Sequence, residues 1–149
     1  MAMTMTGEVQ LAASREVVWA KLNDPEVLKA CIPGCEELNK NSDTEFQAVA
    51  TQKIGPVKAR FRGKVQLTDL DPPNGYKILG EGEGGVAGFA KGGATVSLAE
   101  KDGGTLLTYN VEAHIGGKLA QLGQRLINGA AKKVADEFFK NFATTVASG

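Results

Sequence analysis

The sequence KARFRGKVQLT, residues 58–68, alternates strictly between polar and apolar side chains. A period of two residues is typical of a β-strand that buries one of its faces. The basic side chains then face water. The set that faces the core consists of Ala59, Phe61, Gly63, Val65 and Leu67.

The next strand, GYKILGEGEG at residues 75–84, carries three alternating glycines on its predicted inner face: Gly80, Gly82 and Gly84. Glycine inside a strand marks a bend, a bulge or the close approach of another body. The two glutamates between the glycines meet the basic row of the preceding strand across the ladder. The glycines leave two interpretations open: a bend in the sheet alone, or a bend together with a ligand cavity.

Further segments of alternating polarity, before and after these two in the sequence, bring the number of predicted strands to seven. The turns between them contain Gly, Pro, Asn and Asp and are too short for parallel crossovers, so the neighbours must be antiparallel. The sheet is therefore predicted to be a meander. Its predicted strands cover residues 5–11, 35–38, 45–54, 57–70, 75–84, 88–100 and 105–115.

Three helices are predicted beside this sheet. Ser14 offers a cap for a short helix over residues 15–22, and Asp24 with Pro25 begins a second that runs to about residue 30. Apolar residues at steps of three and four predict one long helix over residues 118–147. A curved sheet with one apolar face buries that face best around the long helix. The sequence thus predicts an α+β fold, one domain over residues 1–149, with the long helix held in the concavity.

The composition narrows the classes of function. The chain has 149 residues, with 17 basic and 17 acidic side chains, so no net charge attracts nucleic acid. No signal peptide is recognisable and no apolar run reaches about 18 residues, so we expect a cytoplasmic protein. Cys31 and Cys35 are too few for a disulfide framework, although their spacing leaves a bridge between them open.

Residues suited to catalysis are scarce on the predicted inner face. The alternation of the last strand turns His114 outward beside Glu112. No carboxylate or lysine lies on the predicted inner face of the sheet. Tyr76 and Tyr109 supply the only inward hydroxyl groups, each of which could donate a hydrogen bond to a ligand carbonyl. The run GEGEGG at residues 80–85 is followed by a turn and a strand, which does not fit a dinucleotide site. We expect no metal site, no cofactor of the protein's own and no enzymatic activity.

The hairpin tips differ between the two ends of the predicted meander. Residues 54–57, 85–89 and 31–35 give one end apolar tips, whereas residues 39–43, 69–74 and 100–104 give the other polar ones. An apolar rim indicates a cavity mouth, a protein contact or a membrane contact. We predict that the mouth is formed by Cys31, Ile32, Pro33, Pro56, Val86 and Phe89. We predict that the ligand pocket is lined by Phe61, Ile78, Tyr109, Val111, Leu119, Leu122, Leu126 and Ile127.

Three motifs together resemble those of the CoxG family, named for the CoxG subunit of carbon monoxide dehydrogenase. They are CIPGC at residues 31–35, the glycine-rich strand pair, and GGKLAQLGQRLI at residues 116–127. The likeness covers about residues 5–146. It implies a helix-grip fold of the START and pollen-allergen superfamily, a partner among molybdenum hydroxylases of the carbon monoxide dehydrogenase type, and a role in coupling that enzyme to the membrane quinone pool.

Three functions remain as hypotheses. The leading one is a non-catalytic accessory protein that holds a quinone or a lipid in its interior and has no cofactor of its own. This protein would contact the inner membrane peripherally. The second is an assembly or docking factor that binds no ligand, which requires a filled interior. The third is a cyclase or hydrolase on the same cup, which requires an acid or a base that points inward.

Overall fold

A single antiparallel sheet forms most of the molecule. The computed structural model describes residues 1–147. Across the sheet the strand order is β1-β7-β6-β5-β4-β3-β2, so the predicted seven-stranded meander is confirmed and β1 closes it against β7. The strands are β1 Ala2–Leu11, β2 Cys35–Ser42, β3 Glu45–Ile54, β4 Val57–Asp71, β5 Gly75–Glu83, β6 Phe89–Lys101 and β7 Gly104–Gly116.

Two short helices follow β1, as predicted, and each has a side-chain cap. In α1, Arg15–Leu22, the hydroxyl of Ser14 accepts a hydrogen bond from the backbone N–H of Val17 at 3.3 Å. In α2, Pro25–Cys31, the carboxylate of Asp24 accepts one from the N–H of Glu26 at 2.9 Å. These bonds satisfy amide groups that would otherwise lack partners at the helix N-termini.

The terminal helix begins later than its apolar period predicts. Gly117–Leu122 forms a 3₁₀ helix, Gly123 has a φ of 94°, and only then does α3, Gln124–Ala147, begin. A residue with positive φ cannot continue a right-handed helix, so the prediction of one uninterrupted helix from residue 118 was wrong. Among the described residues, none of the helices combines the length and the apolar character needed to cross a bilayer.

The apolar core consists of two separate clusters along the axis of α3. The larger cluster, the base cluster, joins α1, α2 and the second half of α3 to the sheet. The smaller one, the mouth cluster, lies at the other end. The buried members of the base cluster are Leu11, Val18, Leu22, Cys31, Phe46, Leu67, Tyr76, Val96, Leu98, Leu107, Phe142 and Val146. Those of the mouth cluster are Met3, Ile115, Leu119 and Ile127.

Phe142 tests how far the base cluster stabilises the fold. Its ring is fully buried and stacks on Phe138 with centroids 5.6 Å apart. Phe142→Ala should lower the free energy of unfolding by about 3–5 kcal/mol, because it removes the ring and leaves a cavity. Leu79→Ala, at a side chain that is 57% exposed, is the control and should cost about 1 kcal/mol or less. Equal losses in urea denaturation would contradict this account of the core.

Candidate functional site

The centre of the sheet's inner face carries almost no side chains. On four neighbouring strands, Ala48, Gly63, Gly82 and Ala90 stand directly opposite one another. On the adjacent rung Gly80 is opposite Gly92, which is opposite Ala113. We call these seven residues the bare patch. Its Ala90 and Ala113 pack against the mouth cluster, and its five other residues lie between that cluster and the base cluster.

Helix α3 does not fill the space over the bare patch. A Cβ atom placed on Gly80 would lie 3.6 Å from the backbone oxygen of Lys64 and 3.7 Å from Cγ2 of Val65, and one on Gly82 would lie 3.9 Å from the oxygen of Arg62. No atom of α3 comes within 4 Å of either position. The helix backbone approaches β1 and α2 most closely and stays farther from the central strands. The space directly above these two glycines is therefore open to that distance, and we call the space over the bare patch the central hollow.

The glycines of this region serve different purposes. A Cβ on Gly92 would collide with the backbone of β7, since it would come to 2.7 Å from Cα of Ala113. Gly92 therefore allows two strands to approach closely. The ring of Phe61 covers Gly84, with its Cε1 2.5 Å from where a Cβ would stand. Of the three alternating glycines, only Gly80 and Gly82 face open space.

The structure gathers most of the predicted lining residues around the hollow. Ile78 and Tyr109 border it from the base cluster, and Phe61, Val111 and Leu122 border it from the mouth cluster. All five point inward yet remain partly accessible. Leu119 and Ile127 are buried members of the mouth cluster itself. Leu126 is 40% exposed and lies over Gly55 at the β3–β4 turn. Whether these residues contact a ligand stays a prediction.

Aromatic residues of α3 form the floor of the hollow, and the sequence did not single out Phe139 among them. Tyr109 stacks on Phe139 with centroids 5.1 Å apart, and Phe139 meets Phe138 edge to face at 5.0 Å. The hydroxyl end of Tyr109 lies over Gly7. Burial, and then the nearby Asp136 carboxylate, raise the pKa of Tyr109. The phenol therefore stays protonated at neutral pH and can donate a hydrogen bond.

The predicted mouth residues separate into three groups. Pro56 and Val86 are exposed on neighbouring tips, and Val86 is 91% exposed. Ile32 and Pro33 lie half-buried along β3, where the side chain of Gln52 donates a hydrogen bond to the oxygen of Pro33 at 2.8 Å.

The other two predicted mouth residues lie away from the rim. Cys31 is buried in the base cluster, because it ends α2 on the side that packs toward α3, and its Sγ is 3.7 Å from Oγ1 of Thr145. Phe89 points to the outer face and its ring covers Gly116, because the alternation of β6 turns Ala90 inward instead. The structure therefore does not bring Cys31 or Phe89 to the mouth. Both cysteines are free thiols.

Charged groups lie outside the hollow. His114 is exposed on the outer face, and none of the described strand residues that point inward between the two clusters is charged. Within residues 1–147, no three His, Cys, Asp or Glu side chains are grouped closely enough to hold a metal ion. The side chains around the hollow are aliphatic or aromatic, which suits the binding of an apolar molecule.

The outer face of the sheet has a broad groove of about 920 Å³. Arg62 stands opposite Glu83 and Lys64 opposite Glu81, so the predicted register of basic and acidic rows is confirmed. Arg60 pairs instead with Glu36 of β2, at 3.1 Å. Because charged side chains dominate its lining, this groove does not suit an apolar ligand.

The sequence matches the family of the CoxG subunit of carbon monoxide dehydrogenase over residues 7–147. The chain belongs to the CoxG family. No curated protein sequence matches the chain. The family match covers β2 to β7, α3 and the second half of β1, so the bare patch is part of a CoxG domain.

Solved structures agree with the helix-grip fold. A conserved protein from Geobacillus kaustophilus is 36% identical, with a TM-score of 0.91 over 98% of this chain and 96% of that one. Ara h 8.0201 is 16% identical, with a TM-score of 0.67 over 100% of both chains. The Zhui aromatase/cyclase from Streptomyces sp. R1128 is 11% identical, with a TM-score of 0.71 over 98% of this chain and 94% of its own. The last two show the fold alone.

Two glycine substitutions test the bare patch directly. Gly82→Ala should leave stability unchanged or raise it by about 0.4–1 kcal/mol, because the new methyl group meets open space and the unfolded chain loses freedom. Gly92→Ala should destabilise the protein by more than about 2 kcal/mol, because its methyl group collides with the β7 backbone. Urea denaturation measures the free energy of unfolding of both variants. Comparable losses of that free energy in the two variants would show that the hollow is filled.

Proposed function

We propose that this CoxG-family protein is a non-catalytic accessory protein that binds a hydrophobic small molecule, a quinone or a lipid, in the central hollow. In this proposal it couples a molybdenum hydroxylase of the carbon monoxide dehydrogenase type to the membrane. The single observation that carries the proposal is the bare patch, where Gly80 and Gly82 meet no atom of α3. A packed interior has few voids larger than a water molecule, so such a patch favours an occupant.

The chemistry of the lining supports an apolar occupant. The inward side chains around the hollow are aliphatic or aromatic, and Tyr109 alone among the bordering residues carries a hydroxyl group. Each buried CH₂ group contributes about 0.8 kcal/mol, so one five-carbon isoprenoid unit contributes roughly 4 kcal/mol. A ligand with a ring and an isoprenoid tail could therefore bind firmly without a charged contact.

The two other functional hypotheses have less support. An assembly factor without a ligand needs a filled interior, whereas α3 leaves the bare patch uncovered. A cyclase or hydrolase needs an acid or a base in the cup, whereas His114 faces outward. The partner enzyme is supported by the family itself, since CoxG is named as a subunit of carbon monoxide dehydrogenase.

Titration with a quinone tests the proposal. Purified protein, delipidated with organic solvent and refolded, is titrated with decylubiquinone in dilute detergent, and binding is followed by quenching of Trp19 fluorescence and by gel filtration of the complex. We expect about one quinone per chain. Gly82→Leu should weaken binding at least about tenfold, which corresponds to 1.4 kcal/mol, because its side chain occupies the hollow.

The matched control for that variant is Leu79→Ala, which changes the outer face of the same strand and should leave the affinity unchanged. Both variants are first compared with the parent by urea denaturation. The same titration with a phospholipid distinguishes the two ligand classes. Failure of both ligands to bind, or equal affinities for the parent and folded Gly82→Leu, would refute a ligand in the hollow.

Tyr109→Phe separates polar recognition from apolar burial. The ring of Tyr109 stacks on Phe139, and its protonated hydroxyl lies over Gly7 at the edge strand β1. If it donates a hydrogen bond to a quinone carbonyl, its removal should weaken quinone binding about three- to tenfold, the range of one hydrogen bond. Binding of a plain alkane chain, measured with the same assay, should not change. Equal effects on both ligands would assign Tyr109 to packing alone.

A further inference from the structure

The two edges of the sheet differ in how they are protected against pairing with another strand. Strand β2, at one edge, is bulged twice against β3 and carries the exposed Lys40. Bulges and lysines are two of the devices by which proteins prevent edge strands from pairing. Strand β1, at the other edge, runs for ten residues in unbroken register with β7 and contains no lysine, arginine or proline. The edge of β1 therefore lacks these devices.

The hydrogen bonds at the start of β1 show which of its backbone groups face that edge. The terminal amine of Met1 donates to the oxygen of Ile115 at 2.9 Å, and the N–H of Ile115 donates to the oxygen of Met1 at 2.6 Å. In an antiparallel ladder, pairs that exchange two bonds alternate with pairs that exchange none. The odd-numbered residues of β1 therefore bond to β7, and the backbone groups of the even-numbered ones point away from the sheet. We call these the edge row: Ala2, Thr4, Thr6, Glu8 and Gln10.

The edge row is unpaired over most of its length. The side chain of Gln124 donates a hydrogen bond to the oxygen of Ala2 at 2.9 Å. Within residues 1–147, no other hydrogen bond reaches the edge-facing backbone groups of the row. All five of its residues are exposed. Such a row is a template for the addition of a strand, because the main-chain hydrogen bonds of the added strand supply affinity.

We propose that β1 pairs antiparallel with β1 of a second copy of this chain, across a two-fold axis at Thr6. A two-fold interface uses the same surface on both copies. Thr6 then stands opposite Thr6 of the second copy. The remaining pairs, each formed twice, are Thr4 with Glu8 and Ala2 with Gln10. This is the one two-fold register that gives every residue of the edge row a partner, and it joins the two seven-stranded sheets into one.

The side chains of β1 are self-complementary in this register. Glu8 is the one charged side chain of the strand, and it faces Thr4 of the second copy. The two Glu8 side chains are about 14 Å apart, since they are separated by four residues along the ladder. That distance exceeds the screening length of about 8–10 Å. On the inner face, Met5 stands opposite Gly7 of the second copy, so the larger side chain meets a position that has none. This match favours a second copy over an unrelated extended peptide.

Sedimentation equilibrium of the full chain at increasing protein concentration tests the dimer. We expect the mass to rise from 15.6 kDa toward twice that value and no further. Amide hydrogen exchange, followed by NMR, gives an independent readout of the interface. Exchange at Thr4, Thr6 and Glu8 should be slow at high concentration and fast in dilute protein, because their N–H groups are bonded only in the dimer.

Thr6→Pro removes the edge-facing N–H at the two-fold axis from both copies. It should raise the dissociation constant of the dimer at least about tenfold. Proline is tolerated at this position because the N–H of Thr6 does not bond to β7. The matched control is Thr6→Ala, which keeps the N–H and should raise the dissociation constant about threefold or less. In dilute protein, the urea midpoints of both variants should equal that of the parent.

A charge at position 4 tests the register without changing the backbone. Thr4→Lys places an ammonium group opposite Glu8 of the second copy and should tighten the dimer about two- to fivefold. Thr4→Glu places like charges there and should weaken the dimer to a similar extent. Both effects should shrink as salt is added. Asn41→Pro, at a bulge of the opposite edge strand β2, is the control and should leave the dissociation constant unchanged.

Several outcomes would overturn the dimer proposal. They are a mass of 15.6 kDa at every concentration, a mass that climbs past that of a dimer, and equal weakening by Thr6→Pro and Asn41→Pro. The same response to Thr4→Lys and Thr4→Glu would overturn it as well. The dimer does not depend on the proposed function. Dilute Thr6→Pro should bind quinone in detergent as the parent does, so either proposal can fail while the other stands.

Discussion

The arrangement of this molecule depends on one constraint: a seven-stranded sheet closes around α3 although the bare patch on its inner face carries no side chain larger than a methyl group. A helix packs against a sheet through the side chains between them, and here the sheet supplies few over the bare patch. Packing is therefore strong only above and below it, in the mouth cluster and the base cluster. The central hollow follows from this division of the core.

The placement of polar groups follows the same division. Strand alternation sends the charged side chains of β4 and β5 to the outer face, where they form a charged groove, and leaves the hollow to aliphatic and aromatic residues. Tyr109 is the exception: its ring stacks on Phe139, and its hydroxyl lies over Gly7 of the edge strand β1. The structure thus combines an apolar interior with a rim whose exposed tips, such as Val86, are apolar.

Local patterns predicted nearly all of the fold and part of the site. Alternation and turn residues located seven strands within a few residues, because both signals act within one hairpin. The start of α3 could not be read in the same way, since the apolar period continues through Gly123 and only the backbone conformation there interrupts the helix. Phe89 and Cys31 were misplaced for related reasons. The face of the sheet on which Phe89 lies depends on the number of residues in the preceding loop. The burial of Cys31 depends on contact with a helix more than a hundred residues away in the sequence. The stack of Tyr109 on Phe139 is equally non-local.

The unequal size of the two clusters has a consequence for the way the protein opens. Among the described residues, twelve buried ones form the base cluster and four form the mouth cluster. At the mouth, Gly117 begins the 3₁₀ helix, and Gly116 and Gly123 flank it. Local unfolding requires the least free energy where few apolar contacts must be broken. Opening of the mouth while the base stays folded is therefore expected to require less free energy than global unfolding of the domain.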